Sequence, residues 1–211
     1  MSDSPGLGPD DALLARLEQT LRALDDQGLT VAGAESCTAG LISAAISGCN
    51  GLGHVLDCAF VTYSNEAKSR LLGVPCGLIC RDGAVSENVA RWMAEGALTR
   101  AAAPLAYAVT GFAGPAGPDD EEGLVHFALA RRHRPTLHRV EHFGAIGQDA
   151  VRLAALGVVI DLLSRHGEPA VKNTPTPGSP WPSSQCRSAC TGCSAGSPSS
   201  TMPASTVRPP N

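Results

Sequence analysis

The stretch Leu29-Thr30-Val31-Ala32-Gly33-Ala34-Glu35-Ser36-Cys37-Thr38-Ala39-Gly40-Leu41-Ile42-Ser43-Ala44-Ala45-Ile46 decides how the rest of the chain is read. Its apolar start, Leu29–Ala32, reads as the end of a strand, and Leu41–Ile46 as the start of a helix. Small residues at such a turn let a backbone or a ligand come close. The first amides of a helix have no partner inside it and favour an anion or an oxyanion. Ser36 and Thr38 therefore sit either where chemistry is done or where a hydroxyl simply caps a helix. The stretch alone leaves both open.

On either side of it, strand-like and helix-like segments alternate. Asp10 or Asp11 can cap a helix carrying Leu13, Leu14, Leu17, Leu21 and Leu24 at helical spacing, ending near Gly28. Asp57–Tyr63 reads as a second strand, apolar enough to be buried on both faces. It leads into a short helix, Ser64–Gly73, capped by Ser64 or Asn65, with Lys68 about one turn on. Pro75 and Gly77 break the chain, and Ser86 caps a further helix with Val89, Ala90, Met93, Ala97 and Leu98 on one face. Leu105–Thr110 is a third strand, opening into the Gly/Pro loop Gly111–Pro118 and the acidic run Asp119–Glu122. Leu124–Ala130 and Leu137–Phe143 form a hairpin, and Gln148 to about His166 a last helix. Strands alternating with helices, then a hairpin, predict a layered α/β/α domain with a mixed, mainly parallel sheet over residues 11–166.

The ends differ in character. Residues 1–10 are expected to be flexible. Residues 167–211 hold nine Pro, nine Ser and only four charged side chains, without a period that can bury a face, and are expected to be a disordered tail. Cys186, Cys190 and Cys193 in that tail are too few for a closed zinc site, and no metal is expected. The remaining cysteines, Cys37, Cys49, Cys58, Cys76 and Cys80, are scattered among small and apolar residues and read as reduced, buried thiols.

Of the 211 residues 43% are hydrophobic and 17% charged, which describes a globule and not a disordered chain. A net charge of −4 gives no footprint for nucleic acid. No run approaches a membrane span, and residues 1–6 lack the basic start and apolar stretch of a signal peptide. The expected location is the cytoplasm.

The three predicted parallel strands end in turns carrying Ser36 and Thr38, then Tyr63, Asn65 and Lys68, then Thr110 and Gly111. Ligands bind beyond the carboxyl ends of such strands, so neighbouring strands would bring these groups to one pocket. A serine hydroxyl must lose its proton to attack, and a lysine can take it only if burial or another cation lowers its pKa. Each group also has an ordinary reading: Lys68 as a solvated lysine, Tyr63 as a strand-end aromatic, Thr110 as a loop residue. Glu35 reads either as a hydrogen-bonded structural carboxylate or as an orienting group. No histidine falls in a strand-end turn to complete a Ser-His-Asp set.

Several segments together resemble one family. Ala34–Gly40 (AESCTAG), Tyr63–Lys68 (YSNEAK), Leu72-Gly73-Val74, Gly83–Glu87 (GAVSE) and Val109–Pro115 (VTGFAGP), in that order, are similar to the CinA C-terminal domain, which includes a bacterial nicotinamide-nucleotide amidohydrolase. The resemblance implies hydrolysis of the carboxamide of nicotinamide mononucleotide to nicotinate mononucleotide and ammonia, with no cofactor. It implies Ser36 as nucleophile, Lys68 as its base and Tyr63 assisting. Thr38, Gly40, Asn65, Thr110 and Gly111 would line the pocket, and Arg152 would meet the phosphate. It further implies a homodimer. Ala39 departs from the pattern where a second glycine is usual, a mild change if its φ is negative. The run Pro118–Glu122 is short and acidic and is expected to point away from a phosphate, and Gln148 stands where a basic residue is expected. A non-catalytic nucleotide-binding or regulatory module is the alternative.

Overall fold

The computed structural model describes residues 8–166. The expectations for residues 1–7 and for the tail from 167 on, with its three cysteines, lie outside them. Asp10 belongs to the folded part, since its side chain accepts the Leu13 amide at 2.8 Å and starts α1, Asp11–Asp25. Then come β1 (Val31–Glu35), α2 (Leu41–Gly48), β2 (Leu56–Val61), α3 (Asn65–Leu72), α4 (Cys76–Asp82), α5 (Glu87–Arg100), β3 (Leu105–Gly111), β4 (Leu124–Arg131), β5 (Arg134–His142) and α6 (Gln148–Ser164).

The sheet runs β2-β1-β3-β4-β5. β1 pairs parallel with β2 and with β3, and β4 runs antiparallel to both β3 and β5. Side chains alternate along each strand, so each face of the sheet collects its own core. Val31, Tyr107, Val109 and Phe127 pack with α1, α2 and α6, including fully buried Leu17, Leu21 and Ile42. On the other face Ala32, Ala34, Ala106, Ala108 and Ala128 lie under Val89, Ala90, Met93 and Ala97 of α5. Alanines on that face let α5 sit close to the sheet, and each fully buried leucine opposite contributes about 2 kcal/mol. The expected α/β/α layering is the one found.

Four expectations are corrected. β1 ends at Glu35, later than Ala32, so Glu35 belongs to the strand and is wholly buried. β2 is an edge strand whose residues alternate between half-buried and exposed: Cys58 and Phe60 pack against the core on the α5 face, while Asp57, Ala59 and Val61 on the opposite face are open. The break read at Pro75 and Gly77 conceals α4: proline needs no amide partner at a helix start, and Pro75 caps that helix. Of the five cysteines outside the tail, expected to be buried, only Cys37 is, and none of the five forms a disulfide with another described residue. Among the described residues no helix is long and apolar enough to cross a membrane.

Candidate active site

The register aligns Glu35 with Val61 of β2 and Val109 of β3, so the carboxyl ends of the three parallel strands finish level. The chain beyond each end turns into one cleft of about 300 Å³. Ser36 extends the β1 ladder by one step, its amide donating to the Val109 carbonyl at 3.0 Å, which holds its Cα at the strand edge. Its side chain is nearly buried and faces Lys68.

Lys68 reaches that point because only three residues separate the end of β2 from the start of α3. Ser64 accepts the Ala67 amide at 3.1 Å and fixes the first turn, and the lysine stem runs back beneath the strand ends. Its Nζ donates to Ser36 Oγ at 2.8 Å, to the Thr62 carbonyl at 2.9 Å and to the Tyr63 carbonyl at 3.4 Å. The side chain is 2% exposed, and burial pushes its pKa down to about 8. The solvated reading of this lysine is therefore set aside. Both protonation states fit the same cage. An ammonium has three protons for three acceptors, whereas a neutral amine keeps two for the carbonyls and turns its lone pair to the Ser36 hydroxyl. With a pKa near 8, about a tenth of the molecules carry that neutral amine at pH 7.

The rest of the cleft wall comes from Asn65, the Ala84–Val85 loop, and Thr110 to Pro115, with Gln148 of α6 closing one end. Thr110 donates from Oγ1 to the Ala84 carbonyl at 2.8 Å, which fastens the end of β3 to that loop. Gly111 is required by packing: a Cβ there would stand 2.7 Å from the Leu124 carbonyl. None of Asp119 to Glu122 lines the cleft, and Glu121 pairs instead with His142 at 2.7 Å.

Four residues singled out in the sequence serve other partners. Tyr63 lines the cleft, but its side chain is 70% exposed and it meets Lys68 only through its carbonyl. Thr38 gives its hydroxyl to Glu35 at 2.7 Å, and the Gly40 amide donates to the same carboxylate at 3.0 Å; neither residue lines the cleft. Arg152 is also absent from the lining; its Nε donates to the Cys37 carbonyl at 3.0 Å, and its Nη1 lies 3.8 Å from Asp149. Ala39 has a φ of +53°, so the glycine-to-alanine departure is a strained one and not the mild one expected of a negative angle.

The sequence reading passed over Tyr107. Its hydroxyl, fully buried, donates to Glu35 Oε1 at 2.9 Å and lies 2.9 Å from Ser43 Oγ. Burial pushes its pKa well up, so it stays a donor. Directly across from it on β1 is Gly33, where a Cβ would come within 2.5 Å of the phenol oxygen. A glycine opposite a tyrosine is the one signal in the sequence for this contact. The anion-ready amides of α2 are likewise occupied. Gly40, Ile42 and Ser43 all donate to Glu35, leaving those of Cys37 and Thr38 as the turn amides without an acceptor among the described residues. Behind Thr110, His126 stacks on His138 with ring centroids 5.3 Å apart. Burial pushes His138 down to about 4, which keeps it neutral at pH 7, and neither ring lines the cleft.

A family model described as the CinA C-terminal domain matches residues 14–166. Over 156 residues the chain is 40% identical to a protein of Escherichia coli strain K12 named nicotinamide-nucleotide amidohydrolase PncC, covering 73% of this chain and 94% of that one. Over 163 residues it is 42% identical to a "CinA-like protein" of Geobacter sulfurreducens, covering 74% of this chain but only 39% of that longer protein. The chain spans 27% of a "putative competence-damage inducible protein" of Symbiobacterium thermophilum. Among solved structures, the competence/damage inducible protein CihA of Agrobacterium tumefaciens superposes with a TM-score of 0.71 at 38% identity, covering 80% of this chain and all of that one. A CinA superfamily protein of Escherichia coli gives 0.68 at 31% identity, covering 74% and 92%.

Proposed function

The chain belongs to the CinA C-terminal domain family, and from that premise we propose that it hydrolyses the carboxamide of nicotinamide mononucleotide, releasing nicotinate mononucleotide and ammonia. The observation that carries the reading is the 2.8 Å contact between Ser36 Oγ and a buried Lys68 at the floor of an open cleft. Neutral Lys68 removes the Ser36 proton as Oγ attacks the amide carbon, and the carbonyl π bond opens to an oxyanion. The amide of Cys37, a residue that lines the cleft and whose N–H has no acceptor among the described residues, holds that charge. The Lys68 ammonium then protonates the leaving nitrogen, the C–N bond breaks, and ammonia departs from an acyl-Ser36 ester. Water, deprotonated by the regenerated amine, attacks the ester and frees the acid and Ser36.

Within this reading Asn65, Thr110, Gly111 and the exposed ring of Tyr63 border the space for the pyridine and ribose. Arg152 steadies the turn from outside the cleft, its Nε on the Cys37 carbonyl and its Nη1 beside Asp149. The test is ammonia release from nicotinamide mononucleotide by the purified chain, beside Ser36→Ala and Lys68→Ala. Release by the wild type that both variants lack is expected. Nucleotide binding by calorimetry with no release above Ser36→Ala refutes hydrolysis and leaves a binding module.

A further inference from the structure

Glu35 touches neither the cleft nor any step above, yet its carboxylate gathers six donors with no exposure to solvent. Oε2 accepts from Thr38 Oγ1 at 2.7 Å, the Gly40 amide at 3.0 Å and the Ile42 amide at 3.3 Å. Oε1 accepts from the Ser43 amide at 2.8 Å, from Tyr107 Oη at 2.9 Å and from Ser43 Oγ. The residue at the cap position of α2 is Gly40, with φ +95° and no side chain, so the cap is supplied from the strand five residues upstream. Such a cap does more than satisfy a helix end. It ties the end of β1, the turn, the first turn of α2 and β3 to one group.

We infer that Glu35 is the positioning residue for Ser36: its carboxylate folds the Ser36–Gly40 turn so that Ser36 Oγ meets Lys68 and the Cys37 and Thr38 amides stay free. The inference rests on the reading of Ser36 as a nucleophile, not on which amide it attacks. The turn shows the effect of the cap directly. Ala39 and Gly40 are both held at positive φ, and the Ala39 and Leu41 amides close back on the Ser36 and Thr38 carbonyls at 3.1 and 3.0 Å. A left-handed alanine persists only where its surroundings over-determine it. Here the Thr38 hydroxyl and the Gly40 amide, on either side of it, are both anchored to Glu35.

The donor pattern makes Glu35→Gln informative despite its near-identical shape. Hydroxyls can rotate, but main-chain amides cannot reverse. Whichever way the new amide group turns, its NH2 faces either the Gly40 and Ile42 amides or that of Ser43. One end of the cap must open. Because the low pKa of Lys68 comes first from burial and Glu35 is not among its causes, the base itself is left as it was.

A small phosphonofluoridate reports on the pair without any nucleotide. Ser36 Oγ bonds to phosphorus as the P–F bond breaks, Lys68 takes the proton and fluoride leaves. Labelling rates are measured by mass spectrometry from pH 6 to 9 on the full chain, with Ser36→Ala as the blank. Glu35→Gln is expected to label at least about tenfold more slowly, with its pH midpoint still near 8. Where nucleotide turnover is measurable, kcat falls and KM holds. Leu21→Ala, on the buried face of α1 and outside the set of donors to Glu35, is expected to label at the wild-type rate. Thr38→Val removes one donor, keeps the shape and serves if Glu35→Gln does not fold; it is expected to slow labelling about threefold. Wild-type rates in a folded Glu35→Gln or in Thr38→Val, or equal slowing in Leu21→Ala, overturn the positioning role. A wild type that labels on Ser36 but releases no ammonia overturns only the proposed substrate. A wild type that does not label overturns both.

Discussion

The state of Lys68 can be weighed through stability, without a substrate. Its pKa is pushed down to about 8 in the fold, against about 10.4 for a lysine in an unfolded chain. Between those values the unfolded chain holds more protons than the native one, so native stability rises with pH. At pH 7 the buried ammonium costs about 3 kcal/mol, and about 2 kcal/mol of that is recovered by pH 9.5. Other groups titrate in the same range. Burial pushes the Cys37 thiol up to about 11, so its contribution has the opposite sign above pH 8. A difference measurement cancels most of it, apart from the attraction between Lys68 and the Cys37 thiolate: urea unfolding of wild type and Lys68→Met at pH 7, 8, 9 and 9.5. Methionine fills similar space without charge, at the loss of the donors to the Thr62 carbonyl and Ser36, roughly 1–2 kcal/mol. Lys68→Met is therefore expected to be the more stable protein at pH 7 by about 1–2 kcal/mol, and to fall by about 2 kcal/mol relative to the wild type by pH 9.5, ending level with it or below. Parallel curves would mean a lysine that titrates as in water. Such a lysine cannot serve as the base for Ser36.

Three further outcomes are expected. Since only neutral Lys68 can take the serine proton, kcat/KM for ammonia release should rise about tenfold from pH 6 to 7 and level off above about pH 8, with Lys68→Arg at least about a hundredfold slower throughout; a flat profile from pH 6 to 8 counts against the mechanism. Ala39→Gly relieves a φ of +53° and should stabilise the chain by about 1 kcal/mol in urea unfolding, an estimate that an unchanged midpoint would refute. Gly33→Ala drives a methyl to 2.5 Å from Tyr107 Oη and 2.7 Å from Cζ, and should cost about 2 kcal/mol or more; a near-neutral effect would show that Tyr107 is free to move off Glu35.

The layering was legible in the sequence because it depends on local periodicity, as in the leucines of α1 and the alanines of α5. The meeting of three strand-end turns was legible as well, because parallel neighbours must finish their strands at the same edge. What failed was set by position in the sheet or by competition for partners. Asp57–Tyr63 looks buried by composition, but nothing in those residues says that β2 is at the edge. Arg152 looks like a free cation until the fold brings the Cys37 carbonyl against it. Thr38 and Gly40 look like pocket residues because they neighbour Ser36, and a carboxylate on the strand claims both.

That last competition explains why two adjacent polar residues have opposite fates. Along β1, Val31, Gly33 and Glu35 face α2, and Ala32 and Ala34 face α5, a strict two-residue alternation. The Ser36 amide continues the ladder to Val109, so its side chain falls on the second face, where Lys68 arrives from α3. Glu35 falls on the first face, under the N-terminus of α2, where Gly33 has made room for the Tyr107 hydroxyl. An anion-binding helix start and a serine at a strand end need not make one site. Here the strand's own carboxylate occupies the helix start, and the amides left over are those beside the serine. On the proposed reading the motif carries its reactive and its supporting group in successive residues, and moving either by one position would exchange their faces.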